Sequence, residues 1–259
     1  MVKLLRIGGG MFGWNKERLY NKTFIFIAGV EGSGTTMLLE FLSKPSFVAA
    51  LGGLYFSPGY KSCRKKIISA LDYLWDTTET KDSAKIQKNK ELIKDIKIPK
   101  NITHLIYKRS FPYINILPKG NVVSFPNLSD LFDFAVKAKV VVLERSLKSC
   151  VASILRREIA TTIDQAAERI KQGRIYLDQG LASIKREDYE VFSYEDFIKK
   201  PHTYLDKLET FLEYPKGSLA PFVVSTIKQP TKEAKSILQE HSAFLDQFFS
   251  NFSNKVNET

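Results

Sequence analysis

The sequence predicts an α/β fold, a P-loop-like three-layer sandwich with a central parallel sheet of about four to five strands flanked by helices. Three observations predict it. Short apolar runs alternate with helical stretches almost throughout, the pattern of a parallel sheet covered on both faces. Phe24–Ala28 (FIFIA) and Lys139–Leu143 (KVVVL) are apolar at nearly every position, as doubly buried strands are. The glycine-rich segment Gly29–Thr36 (GVEGSGTT) joins the first of these runs to a helix.

Taken in order, Phe24–Ala28 is bounded by Lys22 and Gly29 and reads as a buried strand. Thr35–Ser43 has helical periodicity and stops at Lys44-Pro45, because proline disfavours α geometry in the residue before it. Phe47–Leu51 is a second strand candidate, and Ser62–Trp75 and Asp82–Ile96 are Lys-rich helices. Thr103–Tyr107 is a strand and Leu128–Lys137 a helix with Ser129 or Asp130 near its cap. After the strand at Lys139–Leu143 come helices at Lys148–Glu158 and Thr161–Ser183, a short strand at Glu190–Ser193, and helices at Thr203–Leu212 and Thr231–Phe249. No internal repeat is present.

A length of 259 residues suits one domain, read as an N-terminal extension (1–22), a core (about 23–215) and a C-terminal loop and helix (216–259). No apolar run reaches the roughly 18–20 residues of a membrane span. Met1–Lys22 is broken by Gly8, Gly9, Gly10 and Asn15 and does not read as a signal peptide. The two cysteines, Cys63 and Cys150, make neither a disulfide framework nor a zinc pattern, and no metal is implied. A cytoplasmic location is expected, with the Golgi lumen or secretion as the alternative if an anchor lies upstream. The sequons at Asn21, Asn101, Asn127, Asn251 and Asn257 favour that alternative, but Asn21 abuts a core strand and Asn257 is at the chain end, so they read as mostly fortuitous.

The net charge of +11 attracts anions. The lysines are scattered, and no helix-turn-helix or aromatic-interleaved RNA motif appears, so a small anion site on a basic surface is expected rather than a nucleic-acid platform. The glycine-rich loop is the place for it. Glycines let backbone amides approach an anion, the helix N-terminus adds free N–H groups and the positive end of the dipole, and Ser33, Thr35 and Thr36 add hydroxyls. The spacing is that of a P-loop, yet Thr35 stands where an NTPase carries the lysine that serves the β/γ-phosphates. A donor without a triphosphate does not need that lysine. The bland alternative is a turn that merely packs a helix close to a strand.

Gly32-Ser33-Gly34-Thr35-Thr36 after an apolar strand resembles the 5′-phosphosulfate loop of the sulfotransferase superfamily. Two further segments resemble the family in the same order. In Val140–Ser153 (VVVLERSLKSCVAS) a strand ends in Arg145 and Ser153 follows eight residues later, the spacing of the family's 3′-phosphate motif. An arginine there offers a fork of donors to a phosphate. The same strand also resembles a Walker-B strand with Glu144 as its acid, and alone Arg145 and Ser153 are equally a surface ion pair and a helix-face serine. Glu190–Tyr214 resembles the family's Tyr-Glu-Asp segment, which makes Tyr194 a candidate adenosine contact as against a core tyrosine. Lys228, with Ser225 nearby, is a candidate to close over the 3′-phosphate.

The resemblance implies a sulfotransferase that takes a sulfuryl group from 3′-phosphoadenosine 5′-phosphosulfate (PAPS), without a metal, and leaves 3′-phosphoadenosine 5′-phosphate (PAP). The acceptor is a hydroxyl or amine, on a glycan or small metabolite, and its binding falls to Leu51–Lys100 and Arg156–Ile184. One departure matters. The family often places a lysine or arginine before Ser-Gly-Thr-Thr, and this chain has Gly32. His104–Pro112 (HLIYKRSFP) resembles the family's Lys-x-His-x-Pro strand end, with Lys108 on the lysine and Ser110 on the histidine that acts as base. Lys108 is therefore the candidate stabiliser of the sulfuryl oxygens, with Arg109 as helper. Glu31 and Ser110 are the base candidates; His104 begins its strand at the wrong end and His202 follows Pro201 at a helix start. Two alternatives stay open: a non-catalytic nucleotide-binding protein on the same fold, and a P-loop kinase or NTPase.

Overall fold

The fold is described from a computed structural model, which describes residues 16–18, 21–51, 84, 87–88, 91, 96–111, 113–117, 120–124, 128–129, 132, 137–223 and 231–256. Its centre is a five-stranded sheet built from β2 (Thr23–Ala28), β3 (Val48–Ala50), β5 (His104–Lys108), β8 (Lys137–Glu144) and β9 (Tyr189–Ser193), in the order β3-β5-β2-β8-β9. Every pairing in it is parallel. Two small antiparallel pairs lie outside it: β1 (Lys16–Arg18) with β4 (Lys97–Pro99), and β6 (Tyr113–Leu117) with β7 (Gly120–Ser124). The helices whose bounds fall among the described residues are α1 (Thr35–Leu42), α2 (Leu147–Arg156), α3 (Ile163–Ala182), α4 (Tyr194–Lys199), α5 (Pro201–Leu212), α6 (Lys232–Glu240) and α7 (Ser242–Val256).

β2 is central because both its faces are apolar. Phe24 and Phe26 pack on one side with Val140, Val151, Ile170 and Leu245, against α2, α3 and α7. Ile25 and Ile27 pack on the other with Leu38, Phe41, Phe197 and Leu208, against α1, α4 and α5. Phe26 and Ile27 are fully buried. Burial of that kind contributes about 1.5–3 kcal/mol per side chain. The continuous apolar reading of FIFIA and KVVVL thus corresponds to strands covered on both faces.

The structure redraws some sequence boundaries. The helix expected over Thr231–Phe249 is two helices, with Thr231 capping α6 through the Ala234 N–H and His241 ending it. α6 packs on α2 and α7 on α3, so the chain must turn between them. Lys137, expected at a helix end, begins β8 instead. The helix expected at Ser62–Trp75 and most of that at Asp82–Ile96 lie outside the described residues.

His104 opens β5 at the amino end of the sheet and is structural. Its ring is buried in edge-on contact with Phe47 and Tyr214, Nε2 donates to the Leu212 carbonyl (3.0 Å), and Nδ1 accepts from Thr103 Oγ1 (2.7 Å). Burial, the largest influence, pushes its pKa below 6.5, although the Leu212 carbonyl and Glu213 oppose this. The unfolded chain therefore takes up the proton first as pH falls, and stability is lost below about pH 6.5. Urea midpoints between pH 7.5 and 5 should fall more steeply for wild type than for His104→Gln; equal slopes would remove His104 as the cause.

Candidate functional site

The strand order puts β2 between β5 and β8, while the chain leaving β2 crosses to β3 on one side and later returns to β8 on the other. Ligands in such sheets bind at that reversal, beyond the strands' carboxyl ends. The ladder continues past β5: the Arg109 N–H donates to Ile27 O (3.1 Å), Phe111 N–H to Gly29 O (2.9 Å) and Glu31 N–H to Phe111 O (2.8 Å). This extension pins the first half of the loop and sets Lys108–Phe111 alongside it.

The second half of the loop depends on two glycines in the left-handed region, Gly32 (φ 87°) and Gly34 (φ 99°). A Cβ on Gly32 would stand 2.7 Å from the Cys150 carbonyl oxygen of α2, and one on Gly34 2.9 Å from the Tyr194 ring. Between them, Ser33 is buried and its Oγ has no hydrogen-bond partner among the described residues. Helix α1 then starts at Thr35 with no side-chain cap and no acidic residue in its first turn. A buried orphan hydroxyl beside an uncapped helix N-terminus is what a bound oxyanion would satisfy.

Arg145 closes the loop from the end of β8. Its Nη1 donates to the Gly32 carbonyl (2.9 Å), its guanidinium lies 4.4 Å from the Tyr194 ring centroid, and its buried Nε has no partner among the described residues. Tyr194, at the start of α4, is mostly core: buried, under Arg145 and against Gly34. Burial raises its hydroxyl pKa. Glu195 accepts the Ser146 N–H (3.1 Å), which fastens α4 to the β8–α2 turn, and Asp196 accepts the Tyr204 hydroxyl (3.2 Å) of α5. Ser153 is half-buried on α2, and its carbonyl accepts from Arg157 Nε (3.1 Å). Glu144, the acid of the alternative Walker-B reading, is engaged by Arg174 of α3 (2.7 Å), on the sheet face opposite Arg145. Cys150 is fully buried and its thiol is pushed up to about 12, which makes it packing, not chemistry.

Charged groups gather on the β5 side. Lys108 Nζ donates to Thr36 Oγ1 (2.8 Å), and Thr35 Oγ1 lies 3.1 Å from Ser110 Oγ, so β5 and the start of α1 are bound together through side chains. Burial, and then the positive charge of Arg157, push the Lys108 amine below the usual lysine range, with Glu31 opposing. Glu31 accepts from Arg169 Nε of α3 (2.6 Å) in a mostly buried ion pair. Arg109, expected beside Lys108, stacks over the Tyr107 ring (4.9 Å). Tyr107 faces α2 and α3, whereas Lys108 faces α1. His202 is exposed on α5. Lys228 and Ser225 lie outside the described residues.

Sequence reasoning missed Arg157 and Arg169. Both stand on helices assigned to acceptor binding, and no motif marks them. Arg169 reaches the loop at Glu31 because α3 folds back across it, which only the tertiary structure shows.

No protein-family model matches this chain. No curated protein matches it. Among solved structures it is similar to the sulfotransferase domain from the curacin biosynthetic pathway, at 17% identity over 87% of this chain and 99% of that one, with a TM-score of 0.47. It is also similar to a sulfotransferase from Alicyclobacillus acidocaldarius, at 15% identity over 90% and 95% of the two chains and a TM-score of 0.45. A third is retinol dehydratase in a complex with retinol and PAP, at 12% identity over 91% and 81% and a TM-score of 0.47.

Proposed function

We propose that this chain binds a phosphoadenosine-type sulfate donor on the Gly29–Thr36 loop and transfers the sulfuryl group to a hydroxyl or amine acceptor, a glycan or small metabolite. The observation that carries the reading is the pair of buried donors without a partner among the described residues, Ser33 Oγ and Arg145 Nε, at a loop that leads into an uncapped helix start. Ser33, Thr35, Thr36 and the first N–H groups of α1 would hold the phosphosulfate end, with the backbones of Gly32 and Gly34 shaping the turn. Arg145, with Ser153, would hold the 3′-phosphate, and Tyr194 would border the adenosine. When bound, the donor supplies an activated sulfuryl group.

The chain's part is to position and to neutralise charge. Gly32 has no room for a side chain, so the positive charge comes from Lys108, whose amine is already fixed at the start of α1. Because burial depresses its pKa, Lys108 loses its charge at a lower pH than an ordinary lysine, and turnover should decline there on the alkaline side. Ser110 and Glu31 flank the same point, and the Glu31 oxygen not taken by Arg169 remains to accept a proton.

Calorimetry tests the donor. PAP is expected to bind equally well with and without Mg²⁺, and a preference for Mg·ATP would overturn the reading. Transfer of labelled sulfate to a panel of hydroxyl and amine acceptors tests the enzyme. Lys108→Ala should lower kcat by about 10²–10³-fold, the cost of removing one charge-stabilising donor, with little effect on PAP affinity. One observation favours a second reading, a nucleotide-binding protein without transfer: the loop carries no cation and its one carboxylate is held in an ion pair. PAP binding with no transfer to any acceptor would decide for it.

A further inference from the structure

We propose, resting on the donor reading above, that Ser110 is a positioning residue for the donor and not the proton acceptor: its hydroxyl aims the Thr35 hydroxyl at the oxyanion held by the loop.

Three observations carry it. The first is register. The chain leaving β5 stays extended and bonded to the loop, with the Arg109 N–H on Ile27 O (3.1 Å) and the Phe111 N–H on Gly29 O (2.9 Å). Residues two apart on an extended chain face the same way. Lys108 and Ser110 therefore both face α1, and each meets one hydroxyl of its first turn, Thr36 Oγ1 at 2.8 Å and Thr35 Oγ1 at 3.1 Å. Tyr107 and Phe111 turn into the core on the other face. The strand end and the helix start are thus joined by a side-chain ladder of two rungs.

The second is that Thr35 is held. It is buried, and a β-branched side chain has few rotamers to choose from. Its methyl lies against Gly29, where an added Cβ would stand 2.9 Å from Thr35 Cγ2. With the methyl on Gly29, the hydroxyl meets Ser110. The third concerns Ser110 itself. Among the described residues, its hydroxyl is bonded to Thr35 and to no histidine or carboxylate. A serine takes up an acceptor's proton only where such a group removes its own.

Each hydroxyl has one hydrogen and two lone pairs. An oxyanion at the start of α1 can only accept, so it takes the hydrogen of Thr35, and Ser110 gives its own to Thr35. The chain from Ser110 to Thr35 to the anion then runs one way, and each bond polarises the next. Ser110 spends its hydrogen on the donor side, which leaves Glu31, of the two base candidates, for the acceptor's proton.

Calorimetry with PAP reads the whole donor site, and with inorganic pyrophosphate it reads the loop without the adenosine contacts. Ser110→Ala should weaken both by about 3–10-fold, the effect of one neutral hydrogen bond, and Ser110→Thr should restore them. Thr35→Val should weaken both at least as much. In the Thr35→Val chain the further change Ser110→Ala should cost nothing more, because the hydroxyl it aims is gone, whereas losses from a loosened fold add. In turnover, the Ser110→Ala loss should fall on the KM for the donor more than on kcat. A kcat drop of about 10²-fold or more with PAP affinity unmoved is the mark of a base and would overturn the assignment, as would additive losses in the double variant. If PAP fails to bind the wild type while pyrophosphate shows the non-additive pattern, the donor reading falls and Ser110 keeps its role. If PAP binds the wild type and Ser110→Ala alike, the role of Ser110 falls alone. Binding of neither ligand removes both.

Discussion

Replacing Arg145 with alanine should reduce PAP affinity by about 10–150-fold, the range of a lost hydrogen bond to a charged partner, roughly 1.5–3 kcal/mol. The size follows from how many things the side chain does. Its Nη1 holds the Gly32 carbonyl, its plane covers Tyr194, and its Nε is buried without a partner among the described residues. Such a nitrogen, already stripped of water, gains from an anion without a further desolvation cost. Lysine should not replace it, because a point charge cannot bond Gly32 and a phosphate through a planar fork while lying on a ring. Glu144→Gln is the control. Glu144 precedes Arg145 in sequence but faces the other side of the sheet, with Arg174. On the donor reading this substitution leaves PAP affinity unchanged. On a Walker-B reading it would abolish metal-dependent nucleotide binding, and Arg145→Ala would not. Calorimetry on both variants distinguishes the two, and unimpaired PAP binding by Arg145→Ala would remove Arg145 from the site.

Much of this was legible in the sequence because the signals were local. A doubly buried strand has to be apolar at successive positions, so FIFIA and KVVVL announced the sheet's centre. A strand–glycine loop–helix order marked the loop as the candidate oxyanion site, and Arg145 and Lys108 could be placed beside it because each ends a strand. The β6–β7 hairpin was missed although Pro118-Lys119-Gly120 is an ordinary turn signal, because Lys108–Pro112 drew the reading to the strand end before it. The division of Thr231–Phe249 was missed for a different reason. Its cause is where α2 and α3 lie, not anything in the residues around His241. The same holds for Arg169. Its ion pair with Glu31 is set by the folding of α3 over the loop, and a pattern of neighbours along the chain contains none of it.

From the sequence, Gly32 reads as the loop position that lacks the expected cation. Gly32→Lys, which would restore one, is expected to damage the protein instead. The position has φ 87°, where a side chain costs about 1–2 kcal/mol, and the new Cβ would lie 2.7 Å from the Cys150 carbonyl oxygen and 3.1 Å from its Cα. Those atoms are helix backbone and cannot rotate away, so α2 must shift or the Gly32 peptide must turn. A turned peptide also breaks the bond to Arg145. With overpacking added, the expected loss is about 2–4 kcal/mol, roughly 5–10 °C in Tm for a chain of this size. PAP affinity should fall with it, since the shift disturbs Arg145 and Ser33 together. Both penalties begin at Cβ, so Gly32→Ala should lose nearly as much as Gly32→Lys. That equality is the informative result, because it separates backbone geometry from charge. If Gly32→Lys instead kept its Tm and turned over faster than Gly32→Ala, the loop would have room for a cation after all, and Lys108 would not be its replacement.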